Sequence, residues 1–435
     1  LAALVPVAVL LTAGFAAVFA QEGTRLDNLS LIYGAYFFAI CLAAHVYLRI
    51  RLPNADPYLF PLVALLTAFG LVMIYRIDDG LARDQANWFV LGLVLFALTI
   101  QFLRDYEVLE RYRYTIAAVG LLLLLAPRLP GIGQQVNGAY LGIKIGPLAF
   151  QPAEFSKICI VVFLASYLRE HREVLIVGAR RVLGVTLPPL KHFGPMLVVW
   201  GASMFMLVFI RDLGSSLMFF AAFLALLYVA TGRFSFVVIG MAMFAAGAWF
   251  FASTVPHVHD RVEIWLDPYQ DPTETGYQIL QSIFAQADGG LFGKGFGQSL
   301  ITIPGTGGDP LLPAAQTDTI YALIVNEVGL FGACAVVLIY MLIAARGFKI
   351  ALLADDGFSK LLATGLTAVF AIQAFVIIGG VTRVIPLTGV TLPFISYGGS
   401  SIVANFVLLA LLLLISDRAR REAAAPNGRA LLGDM

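Results

Sequence analysis

Three groups of polar residues interrupt an otherwise oily chain, and each combines side chains suited to proton transfer or to holding an anion. The first is Gln151-Pro152-Ala153-Glu154-Phe155-Ser156-Lys157. Pro152 suits the first turn of a helix, and Glu154 and Lys157, three residues apart, then project from one face. Two readings fit them: a local ion pair that makes burial tolerable, or the floor of a polar cavity where the lysine meets an anionic ligand. The second group is Gln316-Thr317-Asp318-Thr319, where a polar stretch gives way to an apolar run. A carboxylate at a helix N-terminus is favoured by the macrodipole, so Asp318 serves either as a cap or as a general base at the lip of a membrane helix. Glu327 falls about two and a half turns deeper and reads as structural. The third group is Arg383, Pro386, Gly389 and Thr391-Leu392-Pro393-Phe394-Ile395-Ser396-Tyr397-Gly398-Gly399-Ser400-Ser401. Proline and glycine beside an apolar run imply a broken or re-entrant helix start, tolerated only where backbone is buried in protein or faces water. Its free amides suit an anion, and its small residues equally suit helix packing.

The elements that must position these groups are membrane helices. Hydrophobic residues make up 60% of the 435 and charged ones only 13%, and mean hydropathy is +0.87. A soluble domain carries about 25% charged residues, so most of this surface faces lipid. The balance of 28 basic and 27 acidic residues argues against a nucleic-acid partner. Cys41, Cys159 and Cys334 lie far apart within apolar runs and read as small buried hydrophobes rather than as a disulfide or metal framework.

A spanning helix needs roughly 20 mostly apolar residues. Runs at 2–20, 31–48, 58–76, 86–103, 113–127, 153–168, 195–210, 214–230, 234–252, 317–345, 358–380 and 394–415 predict an all-α polytopic fold of about twelve spans. No β-alternation competes with this reading. Leu1–Ala20 lacks a basic leader and is followed closely by a second run, so it is expected to be a membrane helix rather than a secretion signal. With Leu1 in place of Met, residues are expected to precede it. Most basic residues, among them Arg49, Arg51, Arg104, Arg111, Arg113, Arg169, Arg172, Arg346, Lys349, Arg418 and Arg420, fall on one side of the helices. The positive-inside rule makes that side, with both termini, cytoplasmic. Segments 128–152, 253–316 and 381–393 then face out. The polar 253–316 segment exceeds the ordinary loop length and carries Trp265, Tyr269, Tyr277, Ile279, Leu280, Ile283 and Phe284, which predicts a folded cap on the membrane surface.

Several signals fail. Gly293-Lys294-Gly295 lacks the upstream glycine and following Ser/Thr of a phosphate loop. His257-Val258-His259-Asp260 lacks a third ligand at metal-binding spacing. No Ser-x-x-Lys occurs, so an acyl-serine transpeptidase is absent from the chain.

From about residue 58 to 418 the chain resembles the SEDS family, the RodA/FtsW/SpoVE cell-shape and division proteins of bacteria. The resemblance rests on Asn137-Gly138-Ala139, the Gln151–Lys157 run, Asp212-Leu213-Gly214, Trp265-Leu266-Asp267-Pro268, Gly276-Tyr277-Gln278-Ile279, Gly289-Gly290-Leu291-Phe292-Gly293, Thr317-Asp318 and Pro386 through Ser401. It implies a peptidoglycan glycosyltransferase that polymerises lipid II at the outer face of the cytoplasmic membrane beside a class B penicillin-binding protein. It divides the chain into an N-terminal two-helix extension (1–50), as in longer RodA-like members, a ten-helix core (51–418) and a cytoplasmic tail (419–435). Three places depart from the family pattern: Gln316 stands where many members have histidine, Tyr140-Leu141-Gly142 follows the asparagine motif, and Arg211 replaces a proline.

The implied mechanism makes Asp318 the general base for the acceptor hydroxyl. Lys157, oriented by Glu154, meets the departing pyrophosphate with help from Arg211 or Arg383, and Asn137, Asp212, Ser396 and Ser400 complete the substrate site. The substrate carries its own activated leaving group, so no nucleotide is needed. A divalent cation, Mg or Mn, would ride on the pyrophosphate rather than in a protein cage. Two other functions use the same residues differently: a flippase for lipid-linked precursors needs the anion site but no base, and a recruiting scaffold needs neither. The motifs serve elongation and division members alike.

Overall fold

The computed structural model describes residues 4–21, 29–136, 139–145, 148–177, 180–182, 185–187, 201–202, 205, 212–254, 256–303 and 310–424. Helices dominate: α1 (Val5–Gln21), α2 (Leu29–Arg51), α3 (Leu59–Ile77), α4 (Asp79–Phe102), a single turn α5 (Val108–Arg111), α6 (Arg113–Leu125), α7 (Ala153–Val177), α8 (Leu213–Thr231) and α9 (Phe234–Thr254). After them come α10 (Pro256–Leu266), α11 (Tyr277–Gly289), α12 (Ile320–Leu353), α13 (Gly357–Val381) and α14 (Gly399–Ala424). Among the described residues, 7 helices are long and apolar enough to cross a membrane, with shorter apolar stretches at Val5–Val18 and Phe234–Phe250. The expected run at 195–210 lies almost wholly outside the described residues. This is a multi-pass, all-α membrane protein.

Aliphatic runs make the helices, because backbone groups in lipid must be satisfied within the segment. Carboxylates start three of them: Asp78 accepts from the Leu81 amide, Asp212 from Ser215 and Asp356 from Ser359, each such cap worth about 1 kcal/mol. The Asp78 cap lets α4 begin seven residues before the apolar run at 86–103, with Arg83 paired to Asp79 on its exposed first turn. The last span differs the other way. Helix α14 begins at Gly399, and Leu392–Gly398 before it is an irregular turn.

The sequence pattern gave no sign of the antiparallel sheet at 133–150. Strands β1 (Gly133–Val136), β2 (Ala139–Ile145) and β3 (Leu148–Phe150) pair in the order β1-β2-β3, and β4 (Arg180–Val182) pairs with β5 (Val185–Leu187). The alternation that would have revealed the first sheet is broken where the β1–β2 register shifts between Gln134 and Gln135.

Helix α14 lies along α4, α12 along α13, and α13 against α7 and α8. The N-terminal pair docks beside this group: Phe15 meets Tyr75 edge-on, Phe37 stacks on Phe89, and the Tyr47 hydroxyl donates to the Ala97 carbonyl. Polar contacts fix the irregular turn before α14. Gln85 donates to the Ser396 carbonyl and accepts from the Gly398 amide, while Tyr340 donates to the Pro393 carbonyl.

Helix α12 breaks at Gly329, where φ is +70°. The freed backbone groups bond to the segment after α11: Lys294 and Gly295 amides donate to the Asn326 and Glu327 carbonyls at 2.9 Å, and the Leu330 amide donates to the Gly290 carbonyl at 3.0 Å. Arg76, from the end of α3, pairs with Glu327 at 3.0 Å and donates to the Ser299 carbonyl, closing the far side of the break. The approach leaves no room for side chains. A Cβ on Gly293, whose φ is +78°, would sit 2.2 Å from the Glu327 carbonyl oxygen. Gly293→Ala is therefore expected to cost at least the ~1–3 kcal/mol of a forced positive φ, read as earlier heat-induced loss of the monodisperse peak in detergent. A wild-type melting profile in that variant would contradict the seated loop.

Candidate active site

The site is assembled where α7, α8, α10 and α12 begin or end around the Pro386–Val390 turn. At the start of α7 the Gln151 amide donates to the Ser400 hydroxyl at 2.8 Å, tying α7 to the first turn of α14. One turn in, the buried Lys157 ammonium donates to Glu154 at 2.5 Å and to the Gln373 side-chain oxygen of α13 at 2.7 Å. Gln373 passes the link on, donating to the Thr391 carbonyl at 3.0 Å. A buried lysine is tolerable only when paired and hydrogen-bonded, and these contacts meet that condition.

Helix α8 delivers Asp212, which accepts from both the amide and the hydroxyl of Ser215, the latter at 2.6 Å. The next residue but one, Gly214, lies directly against Val390 and Thr388, so Asp212 borders the same turn. Asp318 borders it from the other side: its carboxylate is 3.6 Å from where a Gly389 side chain would begin. Gly389 has φ +72°, and its missing Cβ keeps the space in front of the carboxylate clear.

Between these two carboxylates stands Arg261 of α10, donating to the Leu387 and Thr388 carbonyls at 3.4 and 3.3 Å. Its positive charge acts on both Asp212 and Asp318. Burial nevertheless dominates at both acids. It raises Asp212 above the ordinary carboxylate range and pushes Asp318 up to about 6, with Arg261 and the Thr317 hydroxyl pulling the other way. A carboxylate so placed takes a proton near neutral pH far more readily than a surface aspartate does.

The other expected site residues form the frame. Ser396 donates to the Thr317 carbonyl at 2.8 Å and accepts from the Leu392 amide, and the Tyr397 amide donates to the Gln316 carbonyl. The irregular turn thus holds the two residues ahead of Asp318. The Arg383 guanidinium bonds to the Trp265 and Leu266 carbonyls, and the Trp265 indole donates back to the Arg383 carbonyl. That reciprocal clasp fastens the end of α10 to the turn after α13 and so sets where Arg261 lies. Asn137 and Arg211 lie outside the described residues. Among the described residues, two buried hydroxyls near the turn, those of Thr388 and Thr391, have no hydrogen-bond partner, an arrangement suited to a polar ligand.

Arg261 and Gln373 were not singled out from the sequence. Gln373 carried a signal, as a lone amide deep in an apolar run. Arg261 carried less, because a charge on a short amphipathic helix usually faces water.

Comparison with known proteins agrees with the architecture. The family described as cell cycle protein, comprising FtsW, RodA and SpoVE, matches residues 57–421. The peptidoglycan glycosyltransferase RodA of Mycobacterium tuberculosis is 42% identical over 412 residues, covering 92% of this chain and 86% of its own length. A chain from a peptidoglycan synthase complex studied for its coordination of polymerization and crosslinking superposes with TM-score 0.68 at 26% identity, covering 84% of this chain and 98% of that one. The rod shape determining protein RodA of Thermus thermophilus has the same fold, with TM-score 0.60 at 24% identity over 85% of this chain and 98% of that one. With its ordered motifs, its helical frame and this match across most of its length, the chain belongs to the FtsW, RodA and SpoVE family of cell cycle proteins.

Proposed function

We propose that this chain is a RodA-type peptidoglycan glycosyltransferase that polymerises lipid II, with Asp318 as its general base. The supporting observation is the placement of a partly buried carboxylate of raised pKa across the Pro386–Val390 turn from a paired, buried lysine. The 42% identity to mycobacterial RodA supports the elongation member over the division member.

In this reaction the acceptor sugar's 4-hydroxyl loses its proton to Asp318, and its oxygen bonds to the donor's anomeric carbon with inversion. The bond from that carbon to the pyrophosphate oxygen breaks as the new one forms. Lys157 supplies positive charge to the departing group, with Glu154 and Gln373 fixing its direction, in a site where low dielectric strengthens such contacts. Arg261 holds the charge balance between Asp212 and Asp318. A divalent cation, Mg or Mn, is part of the substrate in this scheme. Among the described residues no group of three or more His, Cys, Asp or Glu side chains gathers to hold one.

The remaining readings of the sequence are proposed on the same footing. They are twelve spans with the 253–316 segment as an extracytoplasmic cap, the division into 1–50, 51–418 and 419–435, both termini in the cytoplasm, and residence in the bacterial cytoplasmic membrane. The partner is a class B penicillin-binding protein that crosslinks the strands. Purified protein incubated with lipid II should yield glycan strands resolvable on a gel, and a protein that moves lipid II between leaflets without making strands would be a flippase instead.

Arg261 gives a sharper check on the base. Arg261→Gln removes the charge that stabilises the Asp318 carboxylate, so the acid limb of the polymerisation rate should move to higher pH. A lower rate with an unmoved limb would mean that Arg261 serves only the fold.

A further inference from the structure

Only part of α12 presents an exposed face. From Ile320 to Glu327 every residue of this helix is buried in protein. The exposed face begins at Leu330 and runs through Phe331, Leu338, Met341 and Leu342 at helical spacing, before Arg346 returns a charge. At 1.5 Å per residue this face is roughly 24 Å long, most of the ~30 Å hydrocarbon core of a bilayer. Measured from Arg346, Leu330 and Phe331 therefore fall within the outer part of the hydrocarbon, beneath the 253–316 segment.

The loop between α11 and the break in α12 is held at this same height. Its backbone is bonded to α12, with Leu330 donating to the Gly290 carbonyl and Phe331 to the Leu291 carbonyl. The Phe292 ring sits 5.5 Å from the Phe331 ring. Phe292 is 80% exposed and Phe331 62%, and Leu291 is exposed beside them. An apolar tip this bare in water would be costly, at about 25 cal/mol per Å² of surface, but here it continues a lipid-facing stripe. Just above it the Lys294 ammonium pairs with Asp288, the polar rim expected at headgroup level.

We propose that Leu291-Phe292 is a membrane anchor, inserted among the acyl chains of the leaflet beneath the 253–316 segment. Lipid is the occupant because the tip is continuous with the lipid face of α12 and level with its end. Since the loop also fills the helix break, the anchor ties the height of α11 to the bilayer surface. This inference does not depend on the reaction catalysed at Asp318.

The experiment is spin-label accessibility in the full chain. Cys41, Cys159 and Cys334 are first replaced by alanine or serine, and single labels are placed at Phe292→Cys, Leu291→Cys, Leu338→Cys and Asp271→Cys. Each protein is reconstituted in nanodiscs of phosphatidylethanolamine and phosphatidylglycerol. Labels at 291 and 292 should collide several-fold more with oxygen than with a nickel chelate, as the bilayer reference at 338 does. The reference at 271, in the polar turn ahead of α11, should show the reverse. A profile at 291 and 292 like that at 271 would overturn the anchor. So would shielding from both reagents, which would mean that a protein segment covers the tip.

Discussion

Asp318→Asn is expected to lower strand formation from lipid II by about 10²–10⁴-fold, the range that a positioned general base contributes. The substitution keeps shape and removes only the ability to accept a proton. The pH dependence supplies the control. Burial raises Asp318 to about 6 from its ordinary 3.8, and the base works only as the carboxylate. The wild-type rate should therefore climb as pH rises through about 6 and level off above it. Stability linked to this group runs the other way. A folded-state pKa above the unfolded one means that its favourable contribution is complete below the unfolded pKa and is lost as pH rises through the folded pKa. At neutral pH the asparagine protein should consequently fold at least as well as wild type. A gel of strands from lipid II, run across a pH series beside a melting curve for each protein, reads both effects. Strands persisting undiminished in Asp318→Asn would remove it from the reaction.

The second large effect falls on the buried pair in α7. Lys157→Met leaves Glu154 without its cation and the Gln373 oxygen without its donor. Breaking a buried ion pair from one side costs about 3–5 kcal/mol, enough to erase much of the stability of a marginal fold. Adding Glu154→Gln to Lys157→Met removes the stranded charge, so the double variant should recover most of that loss. Polymerisation should not return with it, because the cation that meets the departing pyrophosphate is still missing. Melting in detergent measures the first outcome and strand formation the second. Recovery of both would reduce the pair to a device that makes burial tolerable, the alternative that spacing alone left open.

How much was legible in advance follows from the range of each interaction. Glu154 and Lys157 were paired correctly because three-residue spacing on a helix is a local property. Asp318 was located just ahead of a membrane helix because apolarity changes abruptly there. The small sheet at 133–150 was missed because its strands are short and a register shift interrupts their alternation. The break in α12 was missed for a related reason: Gly329 sits in a mostly apolar run with no proline to mark a break, and only the Gly290–Gly295 backbone seated against it reveals the positive φ. Arg383 illustrates a different limit. Its charge was visible, but the carbonyls of Trp265 and Leu266 that engage it lie more than a hundred residues away.

The sequence by itself therefore determined the solvent of this protein and the kinds of groups that meet at its site. Apolar run lengths and the placement of basic residues follow from transfer energies that act residue by residue. Only the tertiary structure decided which groups meet. Asp212 opens α8, Arg261 rides on α10, Asp318 precedes α12, and Lys157 reaches Gln373 on α13. They converge on the Pro386–Val390 turn because helices α7, α8 and α13 pack together and Ser396, Tyr397 and Arg383 fasten the irregular backbone around them. Such convergence depends on contacts between distant segments, and no local pattern encodes it.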